Sequence, residues 1–383
     1  MKNRVIIYVT GLVALIFCLF GTGCSRSVDE DVSDKNGFQF CVQIPKAIEV
    51  ETKGDETPPP TPTLGDEKIG INDVWIVQYA SPGGNLLHCV YINSGFETDD
   101  SGYMMTITTK DTQFSWEKSS FYVILNGGPD LLKNFENEED NTKGALLKKT
   151  CPAPSNPDGS LAISSLPTLL TAGPTEYTPT SDQSEKVIVI SRVYRAFAKL
   201  SLSVTFPQNT NDNFVVDKVT VTHIPKNMAL FAGGGSNANY PDISMNNEAM
   251  YMEPITLSDL VVNAGKKSFW MPENIRGTGS SLTFQGKNIA SNGPGGNLDG
   301  CTYLTLKGKY YYDKTQSQDP IDVEYRFYLG SNLTNDYNIR RDHHYNLTVN
   351  LKGANSADLR VTITNGNVAV FDEVETIENK VDF

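Results

Sequence analysis

The chain has 383 residues, of which 32 are basic and 45 acidic, so its formal net charge is −13. This balance, and the lack of any cluster of Lys and Arg in the sequence, argue against a general nucleic-acid binder. Hydrophobic residues make up 39% of the chain, with 17 Tyr and 17 Phe, which argues against a disordered acidic protein. The length predicts two globular domains, and Gly and Pro spread among short apolar runs predict many turns and strands.

The first 23 residues have the pattern of an export signal. Two basic residues near the start precede an almost wholly apolar run, residues 5–20, which is followed by small residues up to Cys24. The run is shorter than the ~20 residues of a membrane-spanning helix, and small residues rather than a basic stop follow it directly. Its end resembles a bacterial lipobox, which implies that Cys24 is lipidated and anchors the chain to a membrane. The acidic residues 24–37 then predict a solvated tether.

The next segment predicts a strand that is separated from the rest of the fold. Residues 38–44 alternate apolar and polar side chains, which is typical of a strand with one buried face. The apolar positions are Phe38, Phe40, Val42 and Ile44. Residues 53–66, rich in Pro and charged side chains, predict an exposed, protease-accessible loop.

The remaining chain predicts strands almost throughout. In the first half they are residues 71–79, 86–92, 103–108, 121–125, 186–190 and 198–206, with a short helix at 130–135. In the second half they are residues 214–223, 267–270, 282–284, 303–312, 321–329, 345–351, 359–363 and 368–371. Neither a sustained helical period nor alternating strand and helix units occur. The fold class is therefore all-β, with two antiparallel β-sandwich domains in tandem at residues 38–206 and 207–383.

The sequence carries no motif for catalysis or metal binding. His343 and His344 are adjacent, and neighbours on a strand point to opposite faces, so we expect a turn there and no metal site. The sequence lacks a GxSxG elbow, a phosphate-binding loop and an EF-hand loop, and no pair of carboxylates stands out. We expect a chain that is not an enzyme and that needs no cofactor.

Four cysteines follow the export signal, at Cys41, Cys89, Cys151 and Cys301. Their wide spacing is not typical of a metal site or a redox dithiol. An exported chain could pair them in three ways, and isolated thiols are the alternative that remains open.

Five segments, in this order, resemble the fimbrillin family of Bacteroidetes, the subunits of type V pili. They are residues 71–79 (INDVWIVQY), 121–126 (FYVILN), 192–204 (RVYRAFAKLSLSV), 269–277 (FWMPENIRG) and 327–353 (FYLGSNLTNDYNIRRDHHYNLTVNLKG). The most distinctive parts are the PEN motif and the stretch RDHHYNLT. The resemblance implies two transthyretin-like β-sandwich domains, export as an outer-membrane lipoprotein and a place in a fimbrium at the cell surface.

The resemblance also implies assembly with other fimbrial subunits by strand exchange. A protease cleaves behind the first strand, that strand leaves, and a terminal segment of another subunit takes its place. Lys53 and Lys46 are the cleavage candidates, with Lys53 preferred because the flexible Gly54 follows it. Retention of the strand, with neither lysine cut, stays open. Residues 358–383 would be the donor, and their acidic end without Trp favours a tip or accessory subunit.

A second hypothesis is a monomeric outer-membrane surface lipoprotein that binds glycan or a host protein. Its candidate contact residues are the aromatic run Tyr310–Tyr312 and Trp270. Packing within a sheet is the commoner use of such side chains.

Overall fold

The structure, a computed structural model, describes residues 37–44, 69–99, 104–109, 113–153, 168–179, 187–208, 210–231, 250–257 and 260–354, and the backbone of residues 356–365. Most regular structure in these ranges is strand, so the all-β prediction is confirmed. The strands are β1 (Phe38–Gln43), β2 (Val74–Ala80), β3 (Leu86–Ile92), β4 (Phe96–Thr98), β5 (Met104–Thr108), β6 (Ser119–Leu125), β7 (Thr150–Pro152), β8 (Leu170–Tyr177), β9 (Val187–Arg192), β10 (Tyr194–Arg195), β11 (Phe197–Thr205), β12 (Asn213–Thr222), β13 (Asn227–Ala229), β14 (Ile255–Leu257), β15 (Lys267–Pro272), β16 (Tyr303–Tyr311), β17 (Ile321–Tyr328), β18 (His343–Gly353) and β19 (Ser356–Asn365).

Helical structure in the described ranges is short. The helix α1 (Lys143–Lys148) begins where the Thr142 hydroxyl accepts a hydrogen bond from the backbone N–H of Ala145. Single 3-10 turns lie at Phe135–Asn137, Gln285–Asn288, Ala290–Asn292 and Pro294–Gly296.

The first sandwich consists of two sheets. Sheet I has the strand order β4-β5-β1-β9, and sheet II has the order β10-β8-β6-β2-β3. Apolar side chains from both sheets meet in one core. Strands β2 and β6 are buried on both faces: Ile76 and Val123 point into this core, whereas Trp75 and Tyr122 point to the opposite side of sheet II.

The second sandwich consists of sheet III, with the order β15-β11-β18-β19, and sheet IV, with the order β14-β12-β16-β17. Its core contains the inward residues of β11, Leu200, Leu202 and Val204, together with Tyr345 and Leu347 of β18. The alternation that predicted these strands from the sequence therefore follows the buried and exposed faces.

Both sandwiches follow the same path through their sheets. In the first, β1 pairs antiparallel with β5 and parallel with β9; in the second, β11 pairs antiparallel with β15 and parallel with β18. In sheets II and IV, β2 corresponds to β12, β3 to β14, β6 to β16 and β8 to β17. The prediction of antiparallel sandwiches misses one parallel pair in each, since the first strand and a strand near the end of each sandwich lie side by side and run in the same direction.

A third apolar cluster, here called the junction cluster, joins the outer face of sheet II to the second sandwich. Trp75 and Tyr122 of sheet II share it with Phe197 of β11 and Trp270 of β15. Phe231 belongs to it too, and its ring lies 5.3 Å from that of Tyr122 in an edge-to-face arrangement. The two sandwiches therefore share a packed apolar contact.

The structure moves or removes three predicted elements. The sequence predicts residues 198–206 in the first domain, whereas β11 pairs with β15 and β18 of the second sandwich; we propose a domain boundary before Phe197. Residues 282–284 are not a strand: the Ser281 and Thr283 hydroxyls accept hydrogen bonds from nearby backbone N–H groups and Leu282 is exposed. The helix predicted at residues 130–135 is a turn that leads into Phe135–Asn137.

Candidate functional site

The candidate site is the groove of sheet I in which β1 lies. Five residue pairs join β1 to β5, and six join it to β9, so its backbone is bonded on both sides. This strand is the first of the chain in the described ranges, yet it has an inner position in its sheet. It is also separated from β2 by thirty residues, 44–73.

Hydrogen bonds fix both ends of β1. At its start, the Phe38 carbonyl accepts from the Thr109 backbone N–H at 3.0 Å and from the Thr109 hydroxyl at 2.8 Å. At its end, the Gln43 carbonyl accepts from the Val193 backbone N–H at 3.0 Å, and the Gln43 side-chain oxygen accepts from Arg192 Nε at 3.3 Å. The register of β1 is therefore set at both ends.

Aromatic side chains form the floor of the groove. The Phe38 ring lies 4.9 Å from Trp116, 5.3 Å from Tyr177 and 5.5 Å from Phe121, measured between ring centroids. The Phe40 ring lies 5.1 Å from Phe121, and both phenylalanines of β1 also contact Phe114. Full burial of one such side chain contributes about 1.5–3 kcal/mol, so β1 contributes several such increments.

The structure places the predicted apolar positions of the first strand on its buried face. Phe38, Phe40 and Val42 have no exposed surface, and Ile44 is 6% exposed. Removal of β1 would uncover this aromatic floor and leave the backbone groups of β5 and β9 unpaired. Unpaired strand edges with apolar pockets are sites at which an added strand can bind, through main-chain hydrogen bonds and side-chain contacts.

The other predicted positions of this site lie outside the described residues. These are Cys24, Lys46, Lys53 and the loop 53–66. Of the predicted donor tail, residues 358–365 form most of β19, which pairs antiparallel with β18 along its whole length, and residues 366–383 lie outside the described part of the chain.

The two adjacent histidines, His343 and His344, make hydrogen bonds within the fold. His344 is buried and bonds through Nε2 to the Ser201 hydroxyl at 2.8 Å, and His343 Nδ1 lies 2.7 Å from the Arg341 carbonyl. Burial lowers the pKa of His343. In the described ranges no three acidic, histidine or cysteine side chains form a group that could hold a metal ion.

The described cysteines are not joined to one another. Cys151 and Cys301 are buried thiols, Cys89 is half-buried, and burial raises the pKa of each.

Of the aromatic candidates for ligand binding, Trp270 and Tyr310 are buried, whereas Tyr312 is 54% exposed. Within the described ranges no helix is long and apolar enough to span a membrane.

The distinctive PEN and RDHH segments form a buried polar network. Glu273 accepts from Arg341 Nε at 2.6 Å, and the same guanidinium donates to the backbone carbonyls of Ala229 and Leu230. Asp342 pairs with Arg195 at 3.3 Å; burial raises the pKa of Asp342 to about 6, although the guanidinium acts in the opposite direction. These contacts hold loops of the second sandwich and the end of β10 in place, which is a structural role.

Comparison with known proteins supports the fold. Residues 269–349 match a family described as a domain of unknown function, DUF4906. Among solved structures, a "putative cell adhesion protein" from Parabacteroides distasonis superposes with a TM-score of 0.55 at 13% identity, covering 86% of this chain and 96% of the other. The chain shares the fold of that protein. The resemblance to the fimbrillins of Bacteroidetes is confirmed at the level of the fold.

Two fimbrial proteins from Porphyromonas gingivalis are also similar to the chain. The tip fimbrial protein Mfa3, with a C-terminal truncation, has a TM-score of 0.45 at 10% identity and covers 86% of this chain and 99% of its own. A fimbrilin (fimA) has a TM-score of 0.45 at 13% identity and covers 86% and 96%. No curated protein matches the chain in sequence.

Proposed function

We propose that the chain is a structural or adhesive subunit of a cell-surface fimbrium. The observation that carries the proposal is β1, which fills the middle of a sheet while a thirty-residue connection separates it from the body. A cut in that connection leaves β1 held only by noncovalent contacts. The fold that the chain shares with a "putative cell adhesion protein" supports the same conclusion.

In this proposal the chain is exported as a lipoprotein anchored through Cys24 to the outer membrane. Cleavage after Lys53, or after Lys46, then separates β1 from the rest, and a terminal strand of another subunit replaces it in the groove. In this proposal the chain is a tip or accessory subunit. The partners are other fimbrial subunits, and surface ligands of a host or of other bacteria if the subunit is adhesive.

The second sandwich provides an internal comparison for this mechanism. Its counterpart of β1 is β11, which follows β10 after the single residue Ala196. The chain continues from β11 on both sides, to β10 before it and through residues 206–212 to β12 after it, so a single cut would not release it. Among the described strands that begin the two sandwiches, β1 therefore has a long connection behind it and β11 does not.

Of the candidate contact residues of the alternative, a monomeric glycan-binding lipoprotein, only Tyr312 is more than half exposed. Its candidates Trp270 and Tyr310 are buried among other side chains, and Tyr310 donates a hydrogen bond to Asp212. These two rings are therefore not available to a ligand.

A disulfide that locks β1 tests the proposal. Gln39 and Thr108 are directly opposite in the antiparallel pair of β1 and β5, with side chains on the outer face of sheet I. Opposite residues in such a pair lie about 4.5–5.5 Å apart between Cα atoms, which suits a disulfide. We expect Gln39→Cys with Thr108→Cys to fold normally but to lose fibre assembly, and a reductant to restore it.

The single variant Gln39→Cys is the matched control and should assemble like the wild type. Fibres are counted by electron microscopy with an antibody to this chain, and a thiol assay confirms that the disulfide has formed. Normal incorporation of the oxidised double variant into fibres would show that β1 does not need to leave, and the proposal would then be wrong.

A further inference from the structure

The edge of sheet I at β9 is open in the described part of the chain. Strand β9 pairs with β1 on one side, and no described strand pairs with its other side. The Val187 and Val193 backbone N–H groups point toward β1. Because backbone direction alternates along a strand, Ile188, Ile190 and Arg192 direct their N–H and C=O groups to the open edge.

The repeated topology shows what such an edge can hold. In the second sandwich, β18 takes the place of β9, and its corresponding edge is covered by β19 over ten residue pairs. No described strand of the first sandwich is a counterpart of β19. An antiparallel strand therefore fits beside a strand of this type.

The edge strands β3, β15 and β17 carry features that block pairing, and β9 does not before Arg192. The edge of β3 is covered where the Cys89 backbone N–H donates to Glu136 at 2.9 Å. Charged side chains stand along β17, and β15 begins with a lysine and ends with Pro272. By contrast, β9 has no proline and no charged residue before Arg192. Long, uncharged edges of this kind are the ones that pair with other chains.

The outer side chains of β9 are apolar and exposed. Ile188 is 60% exposed and Ile190 is 57% exposed, while Val189 between them points into the core. Met104 of β5 is 36% exposed on the same outer face. Isoleucines on an exposed edge strand are typical of a surface that is covered in an assembly.

We propose that β9 is a self-association edge, at which two copies of this chain pair antiparallel about Ile190. A two-fold axis at this residue places Ile190 opposite its counterpart in the second copy, and Ile188 opposite Arg192 of that copy. In this pairing no two side chains of like charge lie opposite each other, so one β9 edge is complementary to a second copy of itself. The pairing joins two copies of sheet I into one eight-stranded sheet. This contact goes beyond the proposed function, since it needs neither cleavage nor release of β1.

A cysteine scan of the edge tests this register in the full chain purified in detergent. Ile190 lies beside Cys41 of β1, so the scan uses a Cys41→Ser background. Opposed residues in a hydrogen-bonded antiparallel pair lie about 5.5 Å apart between Cα atoms, within disulfide range. We expect Ile190→Cys to give a disulfide-linked dimer on mild oxidation.

The matched control is Ile188→Cys, on the same strand and equally exposed. In the proposed pairing it lies about 13 Å from its own counterpart, so it should not cross-link. Equal cross-linking of both variants, or of neither, would overturn the proposal. Circular dichroism confirms that both variants fold.

Sedimentation gives a second readout. We expect Ile190→Lys to weaken self-association by about tenfold or more, and Leu282→Lys, at a fully exposed position elsewhere, to leave it unchanged. Association that survives Ile190→Lys but is lost on removal of residues 366–383 would assign the contact to the terminal segment and overturn the proposal. The Gln39→Cys, Thr108→Cys double variant separates the two proposals: with β1 locked, fibre assembly stops, whereas association through β9 persists.

Discussion

At the scale of single residues, several charges are buried in the second sandwich and where it meets β10 of the first. Arg341 with Glu273 and Arg195 with Asp342 are hydrogen-bonded pairs. Lys287 is buried without a close carboxylate partner in the described ranges; its Nζ donates to the Asn332 carbonyl at 2.6 Å and lies 5.2 Å from the centre of the Tyr337 ring. Such groups lower stability unless their hydrogen bonds and nearby charges offset the cost of burial.

Lys287 gives a prediction for the pH dependence of stability. Burial lowers its pKa to about 7, although Asp336 and Cys301 act in the opposite direction. The unfolded chain keeps this proton up to its ordinary pKa of 10.5, so above pH 7 the unfolded state binds more protons than the folded state. The contribution of Lys287 to stability therefore rises with pH, by about 2 kcal/mol between pH 7 and pH 9.

The measurement is the free energy of unfolding of the wild type and of Lys287→Met at both pH values. We expect the wild type to gain about 2 kcal/mol relative to the variant as pH rises. Lys266→Met, at an exposed position, is the control and should follow the wild type. Equal pH slopes for the wild type and Lys287→Met would contradict the assignment.

At the scale of elements, β1 combines a central position with a separable connection. Its stability in the groove rests on its apolar face, since Phe40 is fully buried against Phe114 and Phe121. We expect Phe40→Ala to lower the free energy of unfolding by about 3–5 kcal/mol, because it leaves a cavity among these rings. Gln39→Ala, on the opposite face, should change it by less than about 0.5 kcal/mol.

Denaturant titration monitored by tryptophan fluorescence measures both variants, since Trp116 lies beside Phe38 in the same core. The two variants differ only in the face of β1 that they alter. Similar small effects for both would show that β1 is held by its backbone alone, and the aromatic floor would then have no role in retaining it.

Sequence periodicity predicts the strands that have one buried and one exposed face. It does not predict strands whose residues, such as Gly and Pro, are unusual in a sheet. The alternation in β1, β11 and β18 matches their burial. Strand β8 was missed because it contains Gly173 and Pro174, which the structure accommodates at an irregularity in its pairing with β6. The parallel pairs β1–β9 and β11–β18 depend on chain path, which no local pattern records.

The candidate site was predictable only in part. The apolar face of the first strand and the Pro-rich connection are readable from the sequence, but the rings that receive the strand come from distant segments: Trp116 and Tyr177 meet Phe38 only in the folded chain. The PEN motif was distinctive in the sequence, and its contacts prove to be structural because Glu273 and Asn274 bond to buried backbone and side-chain partners. The open edge at β9 also required the folded structure.

At the scale of the whole molecule, the two sandwiches share one topology. They differ in the connection of their first strand and in what covers the edge strand of sheet I and its counterpart. In the first sandwich a thirty-residue connection follows the first strand and no described strand covers the edge of β9, whereas in the second a short connection follows β11 and β19 covers the matching edge. The junction cluster joins the two through strands that also line the groove, since Ile76 faces β1 while Val77 faces the junction. The groove is therefore held by the packing of both sandwiches.

The central claim is that β1 occupies its groove before assembly and is absent afterwards. Mass spectrometry of the N-terminal residue of this chain, recovered from surface fibres, tests it most directly. The account predicts a chain that begins at Gly54, or at Ala47 if Lys46 is the cleavage site, and that lacks residues 38–44. A fibre-borne chain that begins at Cys24 and retains Phe38 and Phe40 would contradict it.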